Sequence, residues 1–307
     1  MLDRTDRHFR FFFRQISRRA RLYTEMVVDR ALLRGDPERL LFHRPEERPL
    51  ALQIASRDPK EAARAAGLAL PHGFDEINLN VGCPSEKSQR MGIGAVLLRE
   101  PDRVAAIAEA VHAETGVWIS VKHRLGLEED DEETALFRFV ERVAKAGVRV
   151  FLVHARKARL DLSTRKNRAV PPLRHDLVHR LKAAFPELTV VTNGGIQDLE
   201  AVRRHLEGVD GAMVGRAAYE DPWRFAGVDA ELFGEAHRPD RCRVVRTMAG
   251  YLEAELQRGT PGRAVVRPLV PLFRGVPGAR DWRRALTEDP PTPATLLAAL
   301  ALVECPK

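Results

Sequence analysis

The chain is poor in cysteine and in lysine, and it lacks any long apolar run. Its three cysteines, Cys83, Cys242 and Cys305, stand far apart with no CxxC pair. An odd, scattered set argues against a disulfide framework and against a zinc site, so no metal is expected and a cysteine with a special task would be a reactive thiol. Nowhere do about eighteen apolar residues run together. The start, MLDRTDRHFR, is charged and has no apolar h-region. Neither a membrane span nor a signal peptide is expected, which leaves the cytoplasm as the default compartment. Low-complexity tracts and tandem repeats are missing too. Lysine is scarce beside arginine, yet the net charge is +7 and the pI near 9.6. That balance suits a polyanionic partner, although an arginine-rich chain also follows from base composition alone; clustering of the basic residues has to decide.

Short β-rich runs recur along the chain: RLYTEMV (21–27), LALQIA (50–55), EINLNV (76–81), WISVKHR (118–124), VRVFLVHAR (148–156), LTVVTNGG (188–195) and GAMVGR (211–216). Between them lie stretches such as PDRVAAIAEAVHAETG and ETALFRFVERVAKAG, apolar at helical spacing and closed by glycine. Strand alternating with helix at this spacing implies parallel βαβ units, and their number suggests an α/β fold of the (β/α)₈ TIM-barrel type. After residue 235 the pattern turns helical around an Arg/Pro/Gly-rich segment. We therefore expect a barrel domain over 1–235 and a helical domain over 236–307, the whole a monomer.

Barrel enzymes carry their chemistry at the C-terminal ends of strands. Here those ends carry Glu25, Gln53, Asn80 with Cys83, Lys122, His154, Asn193-Gly194-Gly195 and Gly215-Arg216. Glycines after the last two strands free backbone N–H groups for an anion, as in a phosphate cradle; tight turns alone would also use them. A mononucleotide phosphate held there would bring Gln53, Lys122 and His154, all donors, under a flavin ring. Lys122 is interior to the apolar run ISVKHR and needs a negative partner. Reduced FMN offers one at its N1/O2 edge, and a salt bridge with Glu25 or another carboxylate is the alternative. Cys83 would face the flavin from another strand, where a thiol can protonate a carbon that has received hydride. Taken alone, a cysteine before proline also serves as a small packed hydrophobe.

The basic residues do cluster. Arg156, Lys157, Arg159, Arg165, Lys166, Arg168, Arg174 and His175 follow the sixth barrel strand, and a second group, Arg263, Arg267, Arg274, Arg280, Arg283 and Arg284, lies in the helical region beside Phe273 and Trp282. Either alone reads as solvated surface; together they read as a track for a phosphate backbone.

INLNVGCPSEK, ISVKHRLG, FLVHAR, TNGGI and MVGRAAYEDPW resemble the tRNA-dihydrouridine synthases, and LYTEM, STRKNRAVPPLRHD and LFRGVPGARDWRR resemble their A-type bacterial branch. The resemblance implies FMN as cofactor, NADPH as its reductant, tRNA as partner and D-loop position 20 or 20a as target. It implies Cys83 as the acid to uracil C5 and Asn80 as a support of the flipped base. Gln53, Lys122 and His154 would hold the flavin ring and ribityl chain, and Asn193, Gly194, Gly195, Gly215 and Arg216 its phosphate. Arg156, Arg165, Lys166, Arg168 and Arg174 would meet RNA. Relatives open on a strand ending APM beneath the flavin; this sequence starts at Met1, so most of that first strand is missing and Met1 is what would remain of the contact. A flavin oxidoreductase of a free pyrimidine, or an RNA-binding barrel impaired in catalysis, are the alternatives.

Overall fold

The apolar runs become strands: β1 (Leu22–Tyr23), β2 (Val27–Val28), β3 (Leu50–Ala55), β4 (Glu76–Val81), β5 (Ser120–Arg124), β6 (Val150–His154), β7 (Thr189–Asn193) and β8 (Gly211–Met213). They are seen in a computed structural model that describes residues 1–128, 130–288 and 290–304. The single run expected over 21–27 is split into β1 and β2, which both lie beside β3. The cause is Thr24: its hydroxyl, in place of a backbone carbonyl, accepts the Gln53 amide at 3.0 Å. That leaves seven strand positions in the sheet, in chain order, with parallel ladders from β2 through β8. The fold is the expected α/β barrel type with a C-terminal helical region.

The chain forms two compact units. One, Tyr23–Phe42 with Leu50–Gly215, holds the sheet. Alternation along each strand sends Ile54, Val81, Val121 and Val153 outward, where they pack with Ala62, Val104, Ile107, Phe139 and Val143 of the surrounding helices into one buried cluster. Those helices begin where the sequence can cap them. Asp58 accepts the amides of Lys60 and Glu61, Asp131 that of Thr134 and Asp198 that of Ala201. Helix Pro101–Thr115 stops at Gly116, whose φ of 71° suits a residue without a Cβ.

The other unit comprises Met1–Leu22, His43–Pro49 and Arg216–Lys307, so no single cut in the sequence separates the two. Its N-terminal helix Arg7–Arg14 lies against helix Arg241–Gln257. Phe11 stacks on Tyr251 at 4.0 Å, and His8 shares a 2.9 Å hydrogen bond with the Tyr251 hydroxyl. Phe273 and Trp282 are wholly buried, in edge-on contact at 4.8 Å, with the Trp282 indole donating to the Leu269 carbonyl. The aromatic pair is core, and it cannot serve as a base-stacking surface beside the arginines of that segment. Cys242 is buried in its helix. Cys305 lies outside the described residues.

A buried carboxylate organises this unit. Glu255, with no exposed surface, accepts from Arg7 at 2.6 Å, Arg44 at 3.0 Å and Thr260 at 2.9 Å. Burial pushes its pKa up, but these donors outweigh burial and hold it below the usual range. Glu255→Ala removes the buried carboxylate shared by three guanidinium groups, those of Arg7, Arg44 and, at 3.4 Å, Arg258, and is expected to cost about 3–5 kcal/mol of stability. Urea unfolding measures it; a loss near zero would mean that the arginines find other partners.

Candidate active site

The parallel register lines up one face of the sheet in levels. Gln53 pairs with Asn78 and Asn78 with Ser120; one level higher Asn80 pairs with Lys122; above that Arg124, His154, Asn193 and Met213 follow one another across β5 to β8. Residues two apart on a strand share a face, so each level repeats on the same side of the sheet.

A continuous chain of hydrogen bonds with a fixed direction runs from Asn80 through the first level to Glu76. At one end the amides of Gly82 and Cys83 donate to Asn80 Oδ1 at 3.1 and 3.0 Å. Backbone N–H groups only donate, so Asn80 must turn its Nδ2 to Gln53 Oε1, at 2.8 Å. Gln53 Nε2 in turn donates to Asn78 Oδ1 at 2.8 Å, and Asn78 Nδ2 to Ser120 Oγ at 2.7 Å. Ser120 and the Tyr23 hydroxyl both donate to the Glu76 carboxylate, at 2.5 and 2.9 Å. Donor-only and acceptor-only ends leave no second arrangement for the amides between them, so the loop carrying Cys83 is tied rigidly to the sheet interior.

Cys83 is a half-buried free thiol just beyond β4. Its backbone is clamped from the far side by the Ala95 amide, which donates to its carbonyl at 2.9 Å. Gly94, at φ 74°, allows that approach, since a Cβ there would lie 2.5 Å from the same oxygen.

Lys122 donates to Asn193 Oδ1 at 3.2 Å, and Asn193 passes its Nδ2 to the Met213 carbonyl at 2.7 Å. Among the described residues no carboxylate pairs with Lys122, so the salt-bridge alternative has no support. Desolvation, with Arg124 nearby, lowers its pKa to about 8. Two positions on, Arg124 is buried and bonds the carbonyls of Gly82, Lys157 and Asn167 at 3.1, 2.8 and 3.2 Å. Burial brings its pKa down to about 10. Burial, together with Arg124, Lys122 and Arg156, holds His154 well below its usual range, so its imidazole is neutral at pH 7. The interior beside Cys83 is therefore a group of cations and neutral donors.

Gly194 and Gly195 have φ of 117° and 70°. A Cβ on Gly194 would meet His154 Cδ2 at 2.8 Å, and one on Gly195 Leu173 Cδ1 at 2.5 Å. Glycine is thus required by these neighbours whether or not a ligand binds. Neither amide donates to a carbonyl among the described residues, so both are available to an anion. The residues present fit a flavin mononucleotide: an uncompensated ammonium, neutral ring donors and open amides meet on one end of the sheet.

A family model described as Dihydrouridine synthase (Dus) matches residues 1–299. The chain belongs to the dihydrouridine synthase family. Among curated proteins, a tRNA-dihydrouridine(20/20a) synthase of Synechocystis sp. is 45% identical over 301 residues, spanning 97% of this chain and 89% of the relative. One of Vibrio cholerae is 43% identical over 307 residues, spanning 99% and 93%. One of Escherichia coli (strain K12) is 44% identical over 292 residues, spanning 94% and 84%.

In this member of the dihydrouridine synthase family, Gln53, Asn80, Cys83, Lys122, His154, Asn193, Gly194, Gly195 and Gly215 all lie at or just past the C-terminal ends of their strands. Met1 and Arg216 belong to the helical unit, Arg216 opening helix Arg216–Glu220. The basic residues after β6 differ in their engagement. Arg165 and Lys166 are exposed. Arg156 bonds the Pro171 carbonyl, and Arg174 is paired with Glu132 and Asp176, both at 2.9 Å. Between Lys166 and Arg168, Asn167 is wholly buried and staples the loop, bonding the backbone of Arg159 and Leu162. Sequence reasoning missed Asn78, Ser120, Arg124 and Asn167. The first three had a signal: each stands two positions from a chosen residue or across the register from one.

Proposed function

We propose that this protein reduces uridine to 5,6-dihydrouridine in the D-loop of tRNA, at position 20 or 20a, with FMN bound and NADPH as the reductant. The observation that carries the reading is Lys122, a desolvated ammonium that pairs with no carboxylate among the described residues and stands opposite Asn80, whose side chain holds the amide of the free thiol Cys83. A half-buried, desolvated cation of this kind is satisfied by an anionic or strongly dipolar ligand, and the N1/O2 edge of reduced FMN is one. When bound, FMN supplies hydride for uracil C6.

The chain's own residues supply the rest. Lys122, Gln53 and the neutral imidazole of His154 hold the ring and ribityl chain. Asn193 and the amides of Gly194, Gly195 and Gly215 take the phosphate. Cys83 Sγ holds the proton that uracil C5 receives. Asn80 keeps the Cys83 loop in place and has one Nδ2 hydrogen left for the base.

The uridine has to leave its stack to be reduced, and an RNA loop gives it up more cheaply than a duplex. Arg165, Lys166 and Arg168, with Arg156 and Arg174 supporting their loop, receive the backbone next to the target. Residues 1–235 are assigned the chemistry and 236–307 the remaining tRNA contact.

Purified protein is expected to be yellow, with flavin absorbance. A colourless protein that still binds tRNA would favour an RNA-binding role, and turnover of free uracil a pyrimidine reductase. The RNA contact has its own test. Arg165→Ala with Lys166→Ala is expected to flatten the dependence of log K on log[salt] for tRNA by about 1.4–1.8; an unchanged slope would return both side chains to solvent.

A further inference from the structure

The thiol of Cys83 is one corner of a closed hydrogen-bonded triangle. Sγ lies 3.4 Å from Ser85 Oγ and 3.2 Å from Ser88 Oγ, and the two hydroxyls are 2.8 Å apart. With S–H donating to Ser85, Ser85 to Ser88 and Ser88 to sulfur, each group gives one hydrogen and receives one. The hydroxyls differ in access. Ser88 is buried at 2% exposure, whereas Ser85 is half-buried and caps helix Glu86–Arg90, accepting the Ser88 amide at 3.2 Å. The Ala95 clamp holds the Cys83 backbone, and the Ser85 cap holds the other side, so the triangle is built into the loop.

We propose that Ser85 and Ser88 return a proton to Cys83 after each reduction; the inference rests on Cys83 as the donor to C5. The S–H bond breaks as the C5–H bond forms, leaving a thiolate. Ser88 already points its hydrogen at the sulfur and stabilises that charge. Ser85, released from the S–H donor, turns its own hydrogen to sulfur; S–H forms again as the Ser85 O–H bond breaks. In the same step a buffer acid, acting through a solvent water, gives a proton to the Ser85 oxygen, so neither an alkoxide nor free hydroxide is left. No electrons move in this part of the cycle. Both serines act on substrate only through Cys83 and are positioning residues.

The test uses holoenzyme with tRNA lacking dihydrouridine. The first turnover of pre-reduced enzyme is compared with kcat under NADPH, and Cys83 alkylation by iodoacetamide is followed by peptide mass without substrate. Ser85→Asn keeps a helix cap but has no hydroxyl. It is expected to leave the first turnover within about twofold, since that proton is already on sulfur, and to lower kcat about tenfold, with Ser85→Thr restoring it. Ser88→Ala removes the donor to the thiolate and is expected to slow alkylation at fixed pH by roughly 10-fold or more. An unchanged kcat in Ser85→Asn, or unchanged alkylation in Ser88→Ala, would overturn the relay while Cys83→Ala stays inactive. Full turnover by Cys83→Ala would instead remove the donor role itself, and the relay with it.

Discussion

Cys83→Ala is expected to lower dihydrouridine formation by at least about 10²-fold, the usual share of a positioned general acid, while FMN and tRNA affinities stay within about twofold. The fold should tolerate the change. The Cys83 backbone is bonded at its amide to Asn80 and at its carbonyl to Ala95, and neither bond uses the side chain. Ser85 and Ser88 remain 2.8 Å apart and satisfy each other when the sulfur is gone. Loss of turnover with retained binding would therefore report on the proton and not on the loop. Quantifying dihydrouridine in digested tRNA decides it; a variant as active as the parent would take the proton donor elsewhere.

Lys122→Met is expected to weaken FMN binding by roughly 10- to 100-fold, the worth of a hydrogen bond to a charged group. Methionine keeps the length and apolar stem of lysine but removes the charge. The apoprotein should respond in the opposite direction. Burial and the neighbouring Arg124 lower the Lys122 pKa to about 8, so below that pH the folded chain carries a desolvated ammonium that water would have favoured. Its cost is fully present at pH 7 and fades as pH rises from about 8 toward the ordinary lysine range, so the FMN-free variant should be the more stable by ~2 kcal/mol at pH 7 and lose that advantage in alkali. Ligand binding follows the same linkage. Above pH 8 the free protein releases the proton that the anion needs, and FMN affinity should fall by up to about tenfold per pH unit in the parent and stay flat in the variant. Flavin fluorescence titrations from pH 7 to 9.5 measure both; equal slopes would exclude Lys122 from the anion site.

Much of this site was legible before any coordinates. In EINLNV the polar residues recur at period two, which places Asn78 and Asn80 on the face opposite Ile77, Leu79 and Val81, and ISVKHR does the same for Lys122. The strand tips follow directly, because a parallel sheet aligns them. The hydrogen-bonded chain from Glu76 to Cys83 was not legible, since it depends on register between strands that only packing fixes: Gln53 meets Asn78 and Asn78 meets Ser120. The burial of Arg124 carries no sequence signal, because an arginine ending a strand normally reaches water, whereas here three backbone carbonyls take it in. The arginine-rich segment after β6 shows its charge in the sequence, but beside the local Asp176 Arg174 also pairs with Glu132, forty-two residues earlier, a partner that local sequence does not reveal. The grouping of the first helix with the last ones has the same cause, for Arg7 and Glu255 are 248 residues apart.

The most direct test of a cationic strand-end site that reduces an extruded uridine is made on tRNA itself. Purified protein, FMN and NADPH are incubated with tRNA transcribed without modifications, and each D-loop uridine is then mapped by mass. The account predicts a gain of two hydrogens at position 20 or 20a with the parent protein and none with Cys83→Ala. A transcript unchanged by the flavin-loaded parent, or changed equally by both proteins, would contradict it.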